Sequence, residues 1–140
     1  MQTSVSHAIF HSLPIVTRRT VLWLALLWSL AVLAALWWPR PDLPNPPSAF
    51  PLDKFVHLGL FAGTAWLWMH ATRRSLRRRA AWVAGLGLLF AFLTEAGQGL
   101  LPFGRAPSLL DGLADAAGLG LGVAAFASGG RVPVSTRPRA

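Results

Sequence analysis

Nineteen consecutive residues, Thr20–Trp38, carry no charge. That is close to the roughly 20 apolar residues an α-helix needs to cross the hydrocarbon core of a bilayer. Three further runs have the same character. Residues 55–71 hold only His57 and His70 as ionisable groups, residues 81–101 hold Glu95 beside Gln98, and residues 109–128 hold Asp111 and Asp115. Each run is too long and too apolar for a soluble helix of this spacing. The linkers fit four spans. Residues 39–52 contain six prolines, which stop a helix and favour an extended segment. Pro102 ends the third span, and residues 102–108 form a tight turn.

Composition excludes the alternatives. Hydrophobic residues make up 54% of the 140 and charged residues 13%, with a mean hydropathy of +0.48. A soluble domain carries about 25% charged residues, and a disordered chain cannot hold so much apolar surface. The chain has no cysteine, which excludes disulfides, thiol catalysis and Cys-ligated zinc, and no tyrosine.

A net charge of +8 with a pI near 12 invites a nucleic-acid reading, but the placement of the charge argues otherwise. Ten Lys and Arg residues (Arg18, Arg19, the Arg73–Arg79 cluster, Arg131, Arg137 and Arg139) fall on one side of the four runs. Arg40, Lys54 and Arg105 fall on the other. The positive-inside rule then puts both termini in the cytoplasm. The Arg73–Arg79 cluster sets topology and meets anionic lipids rather than nucleic acid. Trp23, Trp66, Trp68 and Trp82 fall near inner ends, and Trp37 and Trp38 at an outer end, as an aromatic belt would. The first run also resembles a signal peptide, but its length and the Trp pair after it favour a retained span. The expectation is an all-α, four-helix transmembrane bundle with cytoplasmic N and C termini. It has an N-terminal segment over 1–19, a membrane domain over 20–128 and a disordered basic tail over 129–140.

The five acidic residues are Asp42, Asp53, Glu95, Asp111 and Asp115. The last four converge on the outer half from three spans. Glu95 precedes Pro102 by seven residues, which puts it about 10 Å below the outer end at about 1.5 Å per residue. Asp115, one turn deeper than Asp111, reaches a similar depth. Asp53 and His57 are spaced i, i+4, as are Asp111 and Asp115; Glu95 and Gln98, and Ser108 and Asp111, are spaced i, i+3. Each pair therefore shares a helix face. Gly118 and Gly122 continue the Asp111/Asp115 stripe, Gly59 and Gly63 form a GxxxG, and Gly112, Ala116, Gly120 and Ala124 form another small-residue face. Such faces admit a neighbouring helix or a second copy of the chain. A carboxylate at the bilayer centre costs about 2.5–3.5 kcal/mol, so these groups must be paired, protonated or hydrated.

In order, the motif reads Asp53-Lys54-x-x-His57, Glu95-x-x-Gln98, Arg105, Ser108, Asp111, Asp115 and the Gly118/Gly122 run. It resembles the VanZ-like family of small bacterial membrane proteins over residues 53–122, about half the chain. The family often has asparagine where this chain has Asp115. The resemblance implies a multi-pass protein of the bacterial cytoplasmic (inner) membrane. Its theme is cell-envelope biology or glycopeptide (teicoplanin) resistance, and it supplies no reaction.

Three functional readings follow, beside a fourth, transport or a proton relay, which with only four spans would need oligomers. In the first, the outer pocket binds an anionic lipid or lipid-linked envelope precursor. Lys54 and Arg105 hold phosphate, Asp53 and Asp111 orient them, and Glu95 and Gln98 bond a sugar hydroxyl. In the second, His57 is a general base oriented by Asp53, with Glu95 as acid, Asp111 as a further candidate and Ser108 as the one nucleophile in the cluster. A metal on His57, Glu95, Asp111 and Asp115 is chemically possible, and magnesium or manganese would suit those donors better than zinc. In the third, the polar groups only tie helices together, with His57 bonded to Glu95. Binding is preferred to chemistry, with no cofactor or metal assigned. The expected partners are membrane lipids or a lipid-linked glycan precursor. The residues taken to form the pocket are Asp53, Lys54, His57, Glu95, Gln98, Arg105, Ser108, Asp111 and Asp115.

Overall fold

The fold is seen in a computed structural model, which describes residues 16–38, 52–101, 108–129 and 134–135. The elements are β1 (Val16–Thr17), α1 (Arg18–Trp37), α2 (Leu52–Ala71), α3 (Leu76–Leu100), α4 (Leu109–Ala127) and β2 (Val134–Ser135). The helices begin and end for local reasons. Thr17 caps α1, its hydroxyl accepting from the Thr20 amide at 3.3 Å. Trp38 (φ −66°, ψ 128°) and Leu101 (φ −77°, ψ 139°) leave α1 and α3 in extended conformation, and each precedes a proline. A following proline disfavours the helical region for the residue before it. Beyond α4, Gly129 takes φ +111°, the conformation that ends many helices and suits glycine.

Two boundaries differ from the sequence reading. α3 starts at Leu76, five residues ahead of the expected 81, so Arg77, Arg78 and Arg79 lie in its first turn. Hydropathy marks where a chain leaves an apolar medium, not where its helix begins, and arginine is a good helix former. Arg79 is partly buried. It donates to the Met69 carbonyl at 3.0 Å and the Arg74 carbonyl at 3.2 Å, and lies over the Phe126 ring at 5.0 Å. It thereby satisfies a last-turn carbonyl of α2 and pins α2, α3 and α4 together. The second difference is in the tail. Val134 and Ser135, expected to be disordered, pair in parallel with Val16 and Thr17. That pairing is possible because the segments before α1 and after α4 emerge at the same end of the bundle.

Three helices, α1, α3 and α4, are long and apolar enough to cross a membrane. α2 has 20 residues but carries Asp53, Lys54, His57 and His70 and falls outside that set. Its polar content follows from its position. α2 packs most extensively on α4 and next on α1, and also meets α3. The bundle packs on Phe61, Ala65 and Met69 of α2, with Val32 and Leu36 of α1, Val83 and Ala91 of α3, and Leu119 and Phe126 of α4. The outward surface is also apolar, with Leu30, Leu86, Leu89, Phe92, Leu113 and Leu121 all exposed.

Glycines set the tightest contacts. A Cβ at Gly118 would overlap the Leu58 carbonyl oxygen and stand 3.1 Å from the Ala62 nitrogen. A Cβ at Gly122 would overlap the Ala62 carbonyl oxygen and stand 3.0 Å from the Trp66 nitrogen. Of the three small-residue faces, this one carries the α2–α4 contact. Gly59, Gly112 and Gly120 face open space, and Gly63 receives the Trp28 indole instead. Gly97 likewise receives Trp37. Those tryptophans donate across helices, Trp28 Nε1 to the Leu60 carbonyl and Trp37 Nε1 to the Thr94 carbonyl, each at 3.1 Å.

These contacts give an expected result. Gly118→Ala and Gly122→Ala should each destabilise the protein by about 1–3 kcal/mol, the usual cost of overpacking. Gly120→Ala should be neutral or stabilising, because it adds a methyl in open space within a helix. Thermal unfolding in detergent measures all three.

Candidate functional site

The N-terminal ends of α2 and α4 lie side by side, and the C-terminal end of α3 meets the start of α4. This end of the bundle gathers most of the polar residues singled out in the sequence. The α2–α4 backbone contact sets the geometry. With Leu58 pressed on Gly118, the preceding turn of α2 lies against the preceding turns of α4. Asp53, Lys54 and His57 then face Asp111 and Asp115.

His57 and Asp115 are 1% and 0% exposed, and His57 Nδ1 is hydrogen-bonded to Asp115 Oδ1 at 2.9 Å. With Asp115 ionised the carboxylate accepts, which puts the proton on Nδ1 and leaves Nε2 as the ring's other nitrogen. The histidine's partner is therefore neither Glu95 nor Asp53, the two expected from sequence. One helical turn nearer the end, the Lys54 ammonium bonds Asp111 Oδ1 and, at 3.3 Å, Asp53 Oδ2. Lys54 and Asp53 are partly open, with side chains 27% and 21% exposed, while Asp111 is buried. Asp53 and Asp111 thus both contact Lys54, one of the two basic groups the sequence reading assigned to them.

Glu95 acts differently. Its Oε1 accepts from the backbone amide of Ser108, the N-cap of α4. The Ser108 hydroxyl in turn accepts from the Asp111 amide at 3.4 Å. Two carboxylates, Glu95 and Asp111, thus stand at the N-terminus of α4, where its unpaired amides and dipole favour negative charge. Glu95 Oε2 and Asp115 Oδ2 are buried without a hydrogen-bond partner among the described residues. Gln98 leaves the cluster. Its amide donates to the Leu36 carbonyl at 3.0 Å, satisfying a last-turn acceptor of α1. Arg105 lies outside the described residues. The sequence reading missed the interhelical tryptophans and Arg79. The glycines at 63 and 97 were the available signal for the tryptophans, because a flat indole needs a position without Cβ.

One donor atom from each of Asp53, His57 and Asp111 lies within 4.8 Å of the others, so these three can hold a cation. The arrangement can also hold a proton on a buried imidazole, and it offers carboxylate acceptors to a hydroxyl or a cation. Comparison with protein families, with curated proteins and with solved structures gives no match for this chain.

Removing one member of a buried pair strands the other. His57→Ala and Asp115→Ala should each cost about 3–5 kcal/mol, and His57→Leu combined with Asp115→Leu should cost less than the two single changes added together. Thermal unfolding of the single and double variants tests this coupling.

Proposed function

We propose that the chain is a VanZ-like protein of a bacterial cytoplasmic membrane, crossing it four times with both termini inside. Its polar cluster then lies toward the outer leaflet and binds the head of an anionic lipid or lipid-linked envelope precursor. The observation that carries this reading is the surplus of buried acceptors. Glu95 Oε2 and Asp115 Oδ2 have no hydrogen-bond partner among the described residues, in a layer already holding Asp53 and Asp111. Buried acceptors without donors are costly, so such a site favours a ligand rich in hydroxyl groups. A glycan head supplies those, and its phosphate is matched by Lys54 at the open rim and by Arg105 of the α3–α4 connection.

Three observations support the membrane arrangement. α1, α3 and α4 are long and apolar enough to span. α2, of the same length as α1, packs on all three, which lets it carry polar groups through an apolar medium. The β1–β2 pairing joins the segment before α1 to the segment after α4, as an even number of crossings between them requires. Orientation rests on the excess of Lys and Arg in the segments assigned to the inside. A role in envelope biology or teicoplanin resistance rests on the resemblance.

A second reading has its own support. A buried histidine oriented by a carboxylate is the arrangement of a general base, so His57 with Asp115 could act on the same lipid. Binding remains the primary reading because the described cluster lacks a nucleophile facing His57.

Native mass spectrometry of the full chain in mild detergent tests the proposal. Wild type should retain an anionic lipid-glycan adduct that Arg105→Ala loses with the fold intact. Equal lipid content in both would reject it. A topology reporter placed at 102–108 should read outside, and a cytoplasmic signal would reject the assigned side.

A further inference from the structure

At the end of the bundle opposite the acidic layer, a cavity of about 510 Å³ lies between α1 and α3. It runs from Arg74 and Trp82 at the arginine-rich end to Thr64 and Phe90 deeper in the bundle. Trp82, Leu86 and Phe90 all line it and are spaced i, i+4 on one face of α3, so the cavity is a slot along the helix axis. The step from Trp82 to Phe90 is about 12 Å at about 1.5 Å per residue. One leaflet of a hydrocarbon core roughly 30 Å thick is little deeper than that.

The walls ask for no polar ligand. The Ser29 hydroxyl donates to the Ala25 carbonyl at 2.8 Å and accepts from Trp68 Nε1 at 3.1 Å. The Thr64 hydroxyl donates to the Leu60 carbonyl at 2.9 Å. The remaining walls are mainly apolar. An apolar cavity of even about 150 Å³ stays dry and takes up hydrocarbon.

The mouth is cationic. Arg73, Arg74, Arg77 and Arg78 are exposed there, and the Arg74 guanidinium lies over the half-exposed Trp82 ring at 4.8 Å. The described acidic residues, Asp53, Glu95, Asp111 and Asp115, belong to the opposite end of the bundle. No described carboxylate therefore competes with an incoming anion for these guanidinium groups.

We infer that this cavity is a lipid site, seating one acyl chain of an anionic phospholipid whose phosphate is held by Arg74 and the neighbouring arginines. The lipid comes from the leaflet at the arginine-rich end. The site is separate from the acidic cluster and does not rest on the function proposed for it. Basic segments beside a membrane helix attract anionic lipids by charge alone, and arginine grips phosphate oxygens in pairs. Here a slot of one leaflet's depth opens directly below that charge. The head meets Arg74 while the chain passes Trp82 into the apolar interior, so both halves of the lipid are matched at once.

The test uses phosphatidylglycerol with a photoreactive diazirine on its acyl chain, added to the delipidated full chain in detergent micelles. Crosslinks should map to residues 64–74 and 82–90. Labelling of the outward faces at Leu30, Leu113 and Leu121 as strong as labelling of the slot would overturn the site. Native mass spectrometry with unlabelled lipids is the second readout. Wild type should hold one phosphatidylglycerol about tenfold or more tightly than phosphatidylcholine of the same chains, because several arginines face the head. Equal affinities would overturn it. Arg74→Gln should weaken phosphatidylglycerol binding about fivefold. Leu86→Trp, which fills the slot from its exposed side, should abolish the adduct while thermal unfolding is unchanged. An adduct of wild-type strength in folded Leu86→Trp would overturn the seating of the chain. Arg105→Ala, in the α3–α4 connection, should keep the phosphatidylglycerol adduct. Its loss there would assign the lipid to the acidic end and overturn this site.

Discussion

The backbones of α2 and α4 touch at Gly118 and Gly122, and the polar end of the molecule depends on that contact. Each glycine lies against a carbonyl oxygen of α2, at Leu58 and Ala62, where a methyl group has no room. Side chains that would otherwise hold two helices about 8–10 Å apart are missing there. The consequence is registration. A helix face repeats every three to four residues, so fixing Leu58 against Gly118 also fixes His57 against Asp115 and Lys54 against Asp111. The small residues therefore build the site although none of them belongs to it.

Once that register is set, the chemistry of the end layer is largely a matter of supply and demand for protons and charge. Asp115 receives the imidazole proton, Asp111 receives the ammonium, and Glu95 receives the first amide of α4. Each carboxylate is thus met by a different kind of donor: an imidazole, an ammonium and a backbone amide. Among the described residues Glu95 and Asp115 each keep a buried oxygen without a hydrogen-bond partner. A hydroxyl-rich head answers the missing donors.

The rest of the bundle is held by polar contacts at positions that look merely apolar or basic in sequence. Trp28 and Trp37 fill glycine sockets and donate to carbonyls of α2 and α3. Gln98 reaches a carbonyl at the end of α1, and Arg79 reaches one at the end of α2. α1 and α3 are clasped by Trp37 and Gln98 near the polar end. Toward the arginine-rich end they flank a cavity of about 510 Å³ lined by Ser29, Trp68, Trp82, Leu86 and Phe90 among others. Across it Trp68 Nε1 donates to the Ser29 hydroxyl at 3.1 Å.

Much of the secondary structure is written in the chain. Apolar runs of helical length, broken by prolines after Trp38 and Leu101, place four helices to within about five residues. The shortfall at α3 came from arginines that are helical yet polar. Spacing also shows that Asp53 with His57, and Asp111 with Asp115, each share a face. Periodicity says which residues of one helix stand together, but not which neighbour that face meets. Three glycine faces were equivalent on paper, and packing chose Gly118/Gly122 because only there does an opposing backbone come close. The same choice gave His57 to Asp115 rather than to Glu95 or Asp53, and sent Gln98 to α1. Those pairings depend on the rotation of each helix about its axis, which is set by how all four bury their surfaces together.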